Sequence, residues 1–492
     1  MTRAGCPVVA ALVAAALAVP GGAWAAPFGK SGIADWTAAP APGPEPSFAP
    51  PAARRLRLKS GASLVVIENH TLPIAAIDVV VAGAGTAADP RRKRGLAAFT
   101  ADMLDEGAGG MSALAISDEE ARLGAEIVLR ADDDAARISV SALTRTLDPT
   151  LDLLAKILTQ PAFDAAELDR VKGDRMTSLE QRRDRPREVV ALVLDAALFG
   201  PESAYGHPGP GVQADVKAIT PADVQGFYRA HWSPAATTIV VAGDVETAAL
   251  AAKLDAVLGG WRAPGARPPA IPAATAAKLG HRLLLVDRPG AAQSDVRIGR
   301  IDPDRHDPRY FAFEVLRTIL GDGFISRLNQ RLREQLGITY GAGAGVAWLK
   351  TCGRLSIATA IVSDKTATGV AETFQILDDL ASHEVDAAEL DRSRQKLVRA
   401  LPRRFETNAG TAAAFAEIVL GGLPDDWYSR IAGGVAKVTA AEVAAAAKAL
   451  MSSGSMAIAI VGDVAKIRGE LDKLGLGAPA MYDLDAAPLP AK

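Results

Sequence analysis

The chain is poor in the residues that most often carry chemistry. Only two cysteines occur in 492 residues, Cys6 and Cys352. Cys6 falls in a segment expected to be removed, so the mature chain keeps one thiol and no intramolecular disulfide is possible, even in a compartment that permits them. Cys352, between Thr351 and Gly353, reads as a small packing residue. Histidines number six, at positions 70, 207, 231, 281, 306 and 383, and no two are closer than 24 residues. A metal pair on one helical turn needs ligands three or four residues apart, so that arrangement is excluded. No Gly-x-Ser-x-Gly turn exposes a serine nucleophile. The phrases Gly321-Asp-Gly323 and Gly341-Ala-Gly-Ala-Gly345 lack the Lys-Ser/Thr of a phosphate loop. They read instead as a turn after a helix and a strand of small residues. Charge is nearly balanced, at −3 with 23% charged residues. That balance gives no electrostatic case for nucleic acid or for an anionic membrane surface.

One apolar run does stand out. Residues 7–19 follow Arg3, Pro20-Gly21-Gly22 breaks the run, and Ala23-Trp24-Ala25 fits a signal-peptidase site. Residues 1–25 therefore read as a secretory signal, too short in its apolar part for a stable anchor. No later segment reaches the ~18 consecutive apolar residues of a membrane helix. Export predicts a periplasmic location.

Residues 26–55 are rich in Pro and Ala and read as an extended lead-in. A second Pro-rich stretch opens at Arg262 and predicts a linker over 262–278. The flanking segments, 56–261 and 279–470, resemble each other, and 471–492 is left as a tail. One offset, 219 residues, separates Asp244 from Asp463, each closing a β-branched run with Gly-Asp. The same offset relates Thr220 to Thr439, both N-cap signals before an acidic first turn, and Glu68 to Asp287. Three anchors in one register predict a tandem duplication.

In the first unit, strands are predicted near 63–68, 74–82, 126–131, 136–142 and 237–242. Helices are predicted near 93–105, 117–123, 147–158, 165–182, 188–199 and 221–229. Strands joined by turns, with helices in runs, predict an α+β fold of two tandem homologous domains. Each would be a mainly antiparallel sheet with helices packed on one face.

Two halves of this kind, with Asn69-His-Thr-Leu-Pro73, Tyr205-Gly-His-Pro-Gly-Pro-Gly211, Gln293-Ser294, Leu320–Leu328, Leu332-Arg-Glu334 and Gly337-Ile-Thr-Tyr340, resemble the pitrilysin/insulinase (inverzincin) zinc peptidases. The resemblance covers roughly 56–470 and implies a clamshell architecture. Active relatives carry H-x-x-E-H on a helix, with a third ligand, a Glu, about 76 residues later. Here the matching phrase is Gly95–Leu104. The resemblance places the two His positions on Ala98 and Asp102, the general base on Ala101 and the third ligand on Ser178. It implies no catalytic residue and no metal in this chain. Glu180 is close to the third position but turned about 200° around the helix. Val128-Leu129 stand where catalytic members show Asn-Ala on the edge strand that pairs with substrate.

The resemblance also implies that an Arg and a Tyr seven residues apart hold the substrate backbone, and Arg333 and Tyr340 match. Read locally, the two are a helix-end Arg and a strand Tyr with ordinary structural roles. With the family phrase intact, they imply a non-catalytic, substrate-binding subunit of a periplasmic heteromeric zinc metallopeptidase acting on peptides. Zinc would sit in a homologous partner bearing H-x-x-E-H. The alternative is a metal-free structural or assembly protein of the same fold.

Overall fold

The computed structural model describes residues 48–262 and 282–490. The signal segment 1–25, most of the lead-in 26–55 and most of the linker 262–278 lie outside the described residues.

The first sheet is built from β1 (Arg54–Arg57), β2 (Ser63–Glu68), β3 (Ile74–Ala82), β6 (Glu126–Ala131), β7 (Ala135–Leu143) and β8 (Thr237–Gly243), in the order β1-β2-β8-β3-β7-β6. A two-strand ribbon, β4 (Gly107–Ala108) and β5 (Met111–Ser112), stands apart. The second sheet contains β9 (Leu283–Asp287), β10 (Gln293–Asp302), β11 (Thr339–Trp348), β12 (Gly353–Val362), β13 (Ala457–Gly462) and β14 (Ala480–Tyr482), in the order β11-β12-β10-β13-β9-β14. Only β2–β8, β9–β13 and β9–β14 run parallel. The fold is α+β with two homologous, mainly antiparallel sheets.

The duplication holds in detail. Thr220 and Thr439 each close a capping box, with Asp223 and Glu442 as the reciprocating acids. Each box satisfies two otherwise unpaired backbone donors at its helix start.

The central strands read as continuous apolar runs, not as alternations. β3 is IAAIDVVVA and β13 is AIAIVG, buried on both sides. Such runs need cover on both faces. Each half supplies its own helices to one face of its sheet, as expected. The other face is covered by a helix from the opposite half. Pro186–Phe199, from the first half, packs on β10 and β13, while Asn408–Gly421, from the second, packs on β3 and β8. Val189, Val190, Val193 and Leu198 form a shared core with Leu284, Val286, Ala459 and Val461. Burying four such apolar side chains contributes on the order of 5–10 kcal/mol before entropy is charged. By contrast β12 alternates buried and half-buried residues, so one of its faces is open.

Two boundaries shift. Arg54 and Arg55, expected in the lead-in, belong to β1, an exposed edge strand paired with β2. The tail is also packed: β14 pairs with β9, and Asp485 accepts from Arg183 at 2.6 Å. Both strands are short and lack apolar alternation, so periodicity carried no sign of them.

Candidate functional site

Ala98, Ala101 and Asp102 lie on the helix Leu96–Asp102. Its start is fixed by Asp89, whose carboxylate accepts from the Gly95 amide at 2.6 Å and the Ala97 amide at 2.7 Å. Gly95 has φ +94°, and a Cβ there would meet the Gly211 backbone at 2.8 Å. That close approach docks the loop holding Tyr205 and His207 against the helix start. Burial pushes the Asp89 carboxyl up to about 7, against the pull of its two amide donors. His207 is buried near it, and burial lowers its basicity.

These positions do not fit a zinc ion. Ala98 and Ala101 offer no donor atom, and Ala101 is fully buried in the core. Asp102 pairs with Arg175, which also donates to the Pro210 carbonyl at 3.1 Å. Burial raises the Asp102 carboxyl, with Arg175 opposing. Ser178 lies one turn beyond Arg175 on the helix Ala165–Arg182 and is exposed. Glu180 accepts from Gln213 at 2.8 Å and from Arg183 at 3.1 Å, engaged away from that face. A guanidinium therefore already neutralises the one carboxylate of the set.

The second half brings Arg333 and Tyr340 together. Arg333 lies in a π-helical turn, Asn329–Gln335, which Gly337 ends at φ +62°. Such turns are rare and often mark functional positions. Tyr340 opens β11 at a bulge: Thr339 faces Ile361 and Ala342 faces Thr359, so Tyr340 and Gly341 together oppose one residue. The bulge turns the Tyr340 ring outward, 89% exposed. The Arg333 guanidinium sits 5.4 Å from the Tyr340 ring centre and 4.5 Å from that of Phe324. It also approaches Glu334 at 3.3 Å.

One residue absent from the sequence reading ties these parts together. Buried Asn329 donates to the Ala342 carbonyl at 2.6 Å and accepts from the Ala342 amide at 3.0 Å. It thus holds the π-helical turn against the far side of the bulge. Nothing in its local sequence marks it, since its partner lies across the element.

Tyr340 and Phe324 border a cleft of about 1020 Å³ on the open face of the second sheet. Its floor is formed by β10, β12 and the small residues of β11, and its far wall by the helix Pro186–Phe199. β11 is an edge of the second sheet and β6 an edge of the first, and β6 carries the exposed Val128. An edge strand offers unpaired backbone groups on which an extended chain can add.

Comparison with known proteins matches this geometry. Residues 64–205 match the family model "Insulinase (Peptidase family M16)", and residues 218–397 match "Peptidase M16 inactive domain". An uncharacterised zinc protease of Mycobacterium tuberculosis is 28% identical over 351 residues, 70% of this chain and 80% of the relative. A non-peptidase homolog, YmxG of Helicobacter pylori, is 22% identical over 405 residues, 81% of this chain and 91% of the relative. A solved peptidase M16 inactive domain from Pseudomonas fluorescens superposes with a TM-score of 0.78 at 23% identity, covering 84% of this chain and 98% of that one. A protease from Helicobacter pylori gives 0.77 at 17% identity, covering 84% and 100%. The chain belongs to the M16 (insulinase) peptidase family as an inactive-type member.

Proposed function

We propose that this chain is the substrate-binding, non-catalytic subunit of a heteromeric zinc peptidase, pairing with a homologous subunit that carries H-x-x-E-H. The observation that carries this reading is the stacking of Arg333 on Tyr340 and Phe324, two rings that border an open cleft beside an edge strand. Arg supplies fixed donors for peptide carbonyls. A Tyr hydroxyl can donate to a developing oxyanion. The edge of β11 supplies main-chain pairing for an extended peptide. The N-terminal pattern of Arg3, an apolar run and Ala23–Ala25 supports export, so the proposed location is the periplasm.

The test is co-purification with an H-x-x-E-H homologue, followed by peptide-cleavage and zinc assays of each chain and of the complex. The expected result is zinc-dependent cleavage by the complex and none by this chain alone. Within the complex, Arg333→Ala or Tyr340→Phe lowers cleavage at least tenfold with assembly intact. Unchanged cleavage in both variants would favour the other reading, a metal-free assembly protein. The contacts of Arg333 with Phe324 and Glu334 give that reading its structural basis, since they occupy the side chain without any ligand.

A further inference from the structure

The duplication allows the two halves to be compared position by position. Asp78 on β3 and Arg297 on β10 are related by the same 219-residue offset, as are Arg137 on β7 and Ser356 on β12. In the first half these positions close on themselves. Arg137 donates to Asp78 at 3.0 Å, and both side chains are almost fully buried. In the second half the acid has become an arginine and the arginine a serine. Arg297 donates to the Ser356 hydroxyl at 3.1 Å, and its Nε is buried without a hydrogen-bond partner, as are Arg137 Nε and Asp78 Oδ1, so the difference between the halves is the ion pair. Among the described residues it makes no ion pair within 4.0 Å.

Arg297 lies on the floor of the cleft that Tyr340 borders, two strands in from β11. Arg187, Arg297 and Arg354 line the cleft, against Asp195 and Asp295. Asp195 is engaged by Arg354 at 2.6 Å. Arg187 and Arg297 are left to one carboxylate, Asp295, so the lining carries an excess of positive charge. Burial lowers Arg297's hold on its proton; Asp195 opposes that shift and the neighbouring guanidiniums add to it. A half-buried guanidinium with no carboxylate in direct contact is costly, and an incoming carboxylate lowers that cost. Its planar fork matches a carboxylate in shape.

We propose that the cleft seats a peptide carboxylate on Arg297, so that the chains selected are extended peptides with an acidic side chain or a free C-terminus beside the β11 edge. This rests on the peptide-binding reading above and names its substrate class.

The test is calorimetric titration of the purified full chain with acetylated Ser/Thr/Ala heptapeptides. Each carries a central Glu or Gln and ends in an amide or a free acid. The expected result is at least tenfold tighter binding of an acid-bearing peptide than of the Gln amide. A gain from central Glu assigns the carboxylate to a side chain, and a gain from the free acid assigns it to the C-terminus. Arg297→Gln should abolish the preference, bringing the acid-bearing peptides to the affinity of the Gln amide. Ser356→Asp should abolish it too, by giving Arg297 the partner that Arg137 has, and it retains the arginine if Arg297→Gln fails to fold. Equal binding of all four peptides would overturn the carboxylate assignment and leave peptide binding standing. A preference that survives both variants would overturn Arg297's part. No binding of any peptide would overturn both readings.

Discussion

Asp102 and Arg175 form an ion pair between two helices of the first half. The pair joins Leu96–Asp102 to Ala165–Arg182, with Arg175 13% and Asp102 35% exposed. The helices are thus bridged by charge complementarity within the chain. Arg175→Met should cost about 1–2 kcal/mol, because it strands a partly buried carboxylate and solvent screens only part of the loss. Adding Asp102→Leu should recover most of that in urea denaturation. Ala98→His, Ala101→Glu and Asp102→His together should not restore tight zinc binding while Arg175 and Ser178 remain, which equilibrium dialysis measures.

The exchanged helices make each half dependent on the other. Fragments 49–262 and 282–490 should be insoluble or molten when expressed apart, and should recover a cooperative transition when co-expressed. Val193→Asp puts a charge into the shared core and should destabilise the whole chain by more than 4 kcal/mol, in one transition. Two separate transitions in calorimetry would contradict this.

Asp89 sets a pH dependence. Its folded pKa, about 7, is above the unfolded value of roughly 3.9 for an aspartate. Between those values the folded state binds more protons, so this group's contribution to stability falls as pH rises from about 4 to 7. His207, with its basicity lowered, acts in the opposite direction near its own titration. Asp89→Asn should flatten the decline relative to wild type in denaturation midpoints taken at pH 5, 6, 7 and 8.

Tyr340 contributes little to stability, being almost wholly exposed. Tyr340→Phe should change stability by less than about 0.5 kcal/mol. Arg333→Ala should cost about 1 kcal/mol or less, the worth of an exposed stack and a weak ion pair. Thermal melts of both variants therefore serve as controls for the cleavage assay, since any large loss of activity would then lie in the site.

The sequence alone determined the duplication, the central strands of the first sheet and the absence of any two closely spaced histidines. Repetition and residue identity are properties of the chain read in order. The predicted strands 63–68, 74–82 and 126–131 stand in the structure as β2, β3 and β6, because short apolar β-branched runs have few other stable conformations. That Ala98 and Ala101 cannot ligate a metal needs no structure, since an alanine side chain lacks a donor in any fold. What only the tertiary structure decided is which groups meet. The helix Pro186–Phe199 is apolar nearly all round, which says that it is buried but not against which sheet. Asp102 finds Arg175, Asn329 finds Ala342, and Arg297 finds a serine where its counterpart Asp78 finds an arginine. Periodicity encodes the face that a residue presents, while its partner depends on how distant elements pack, and that is where this chain's site was set.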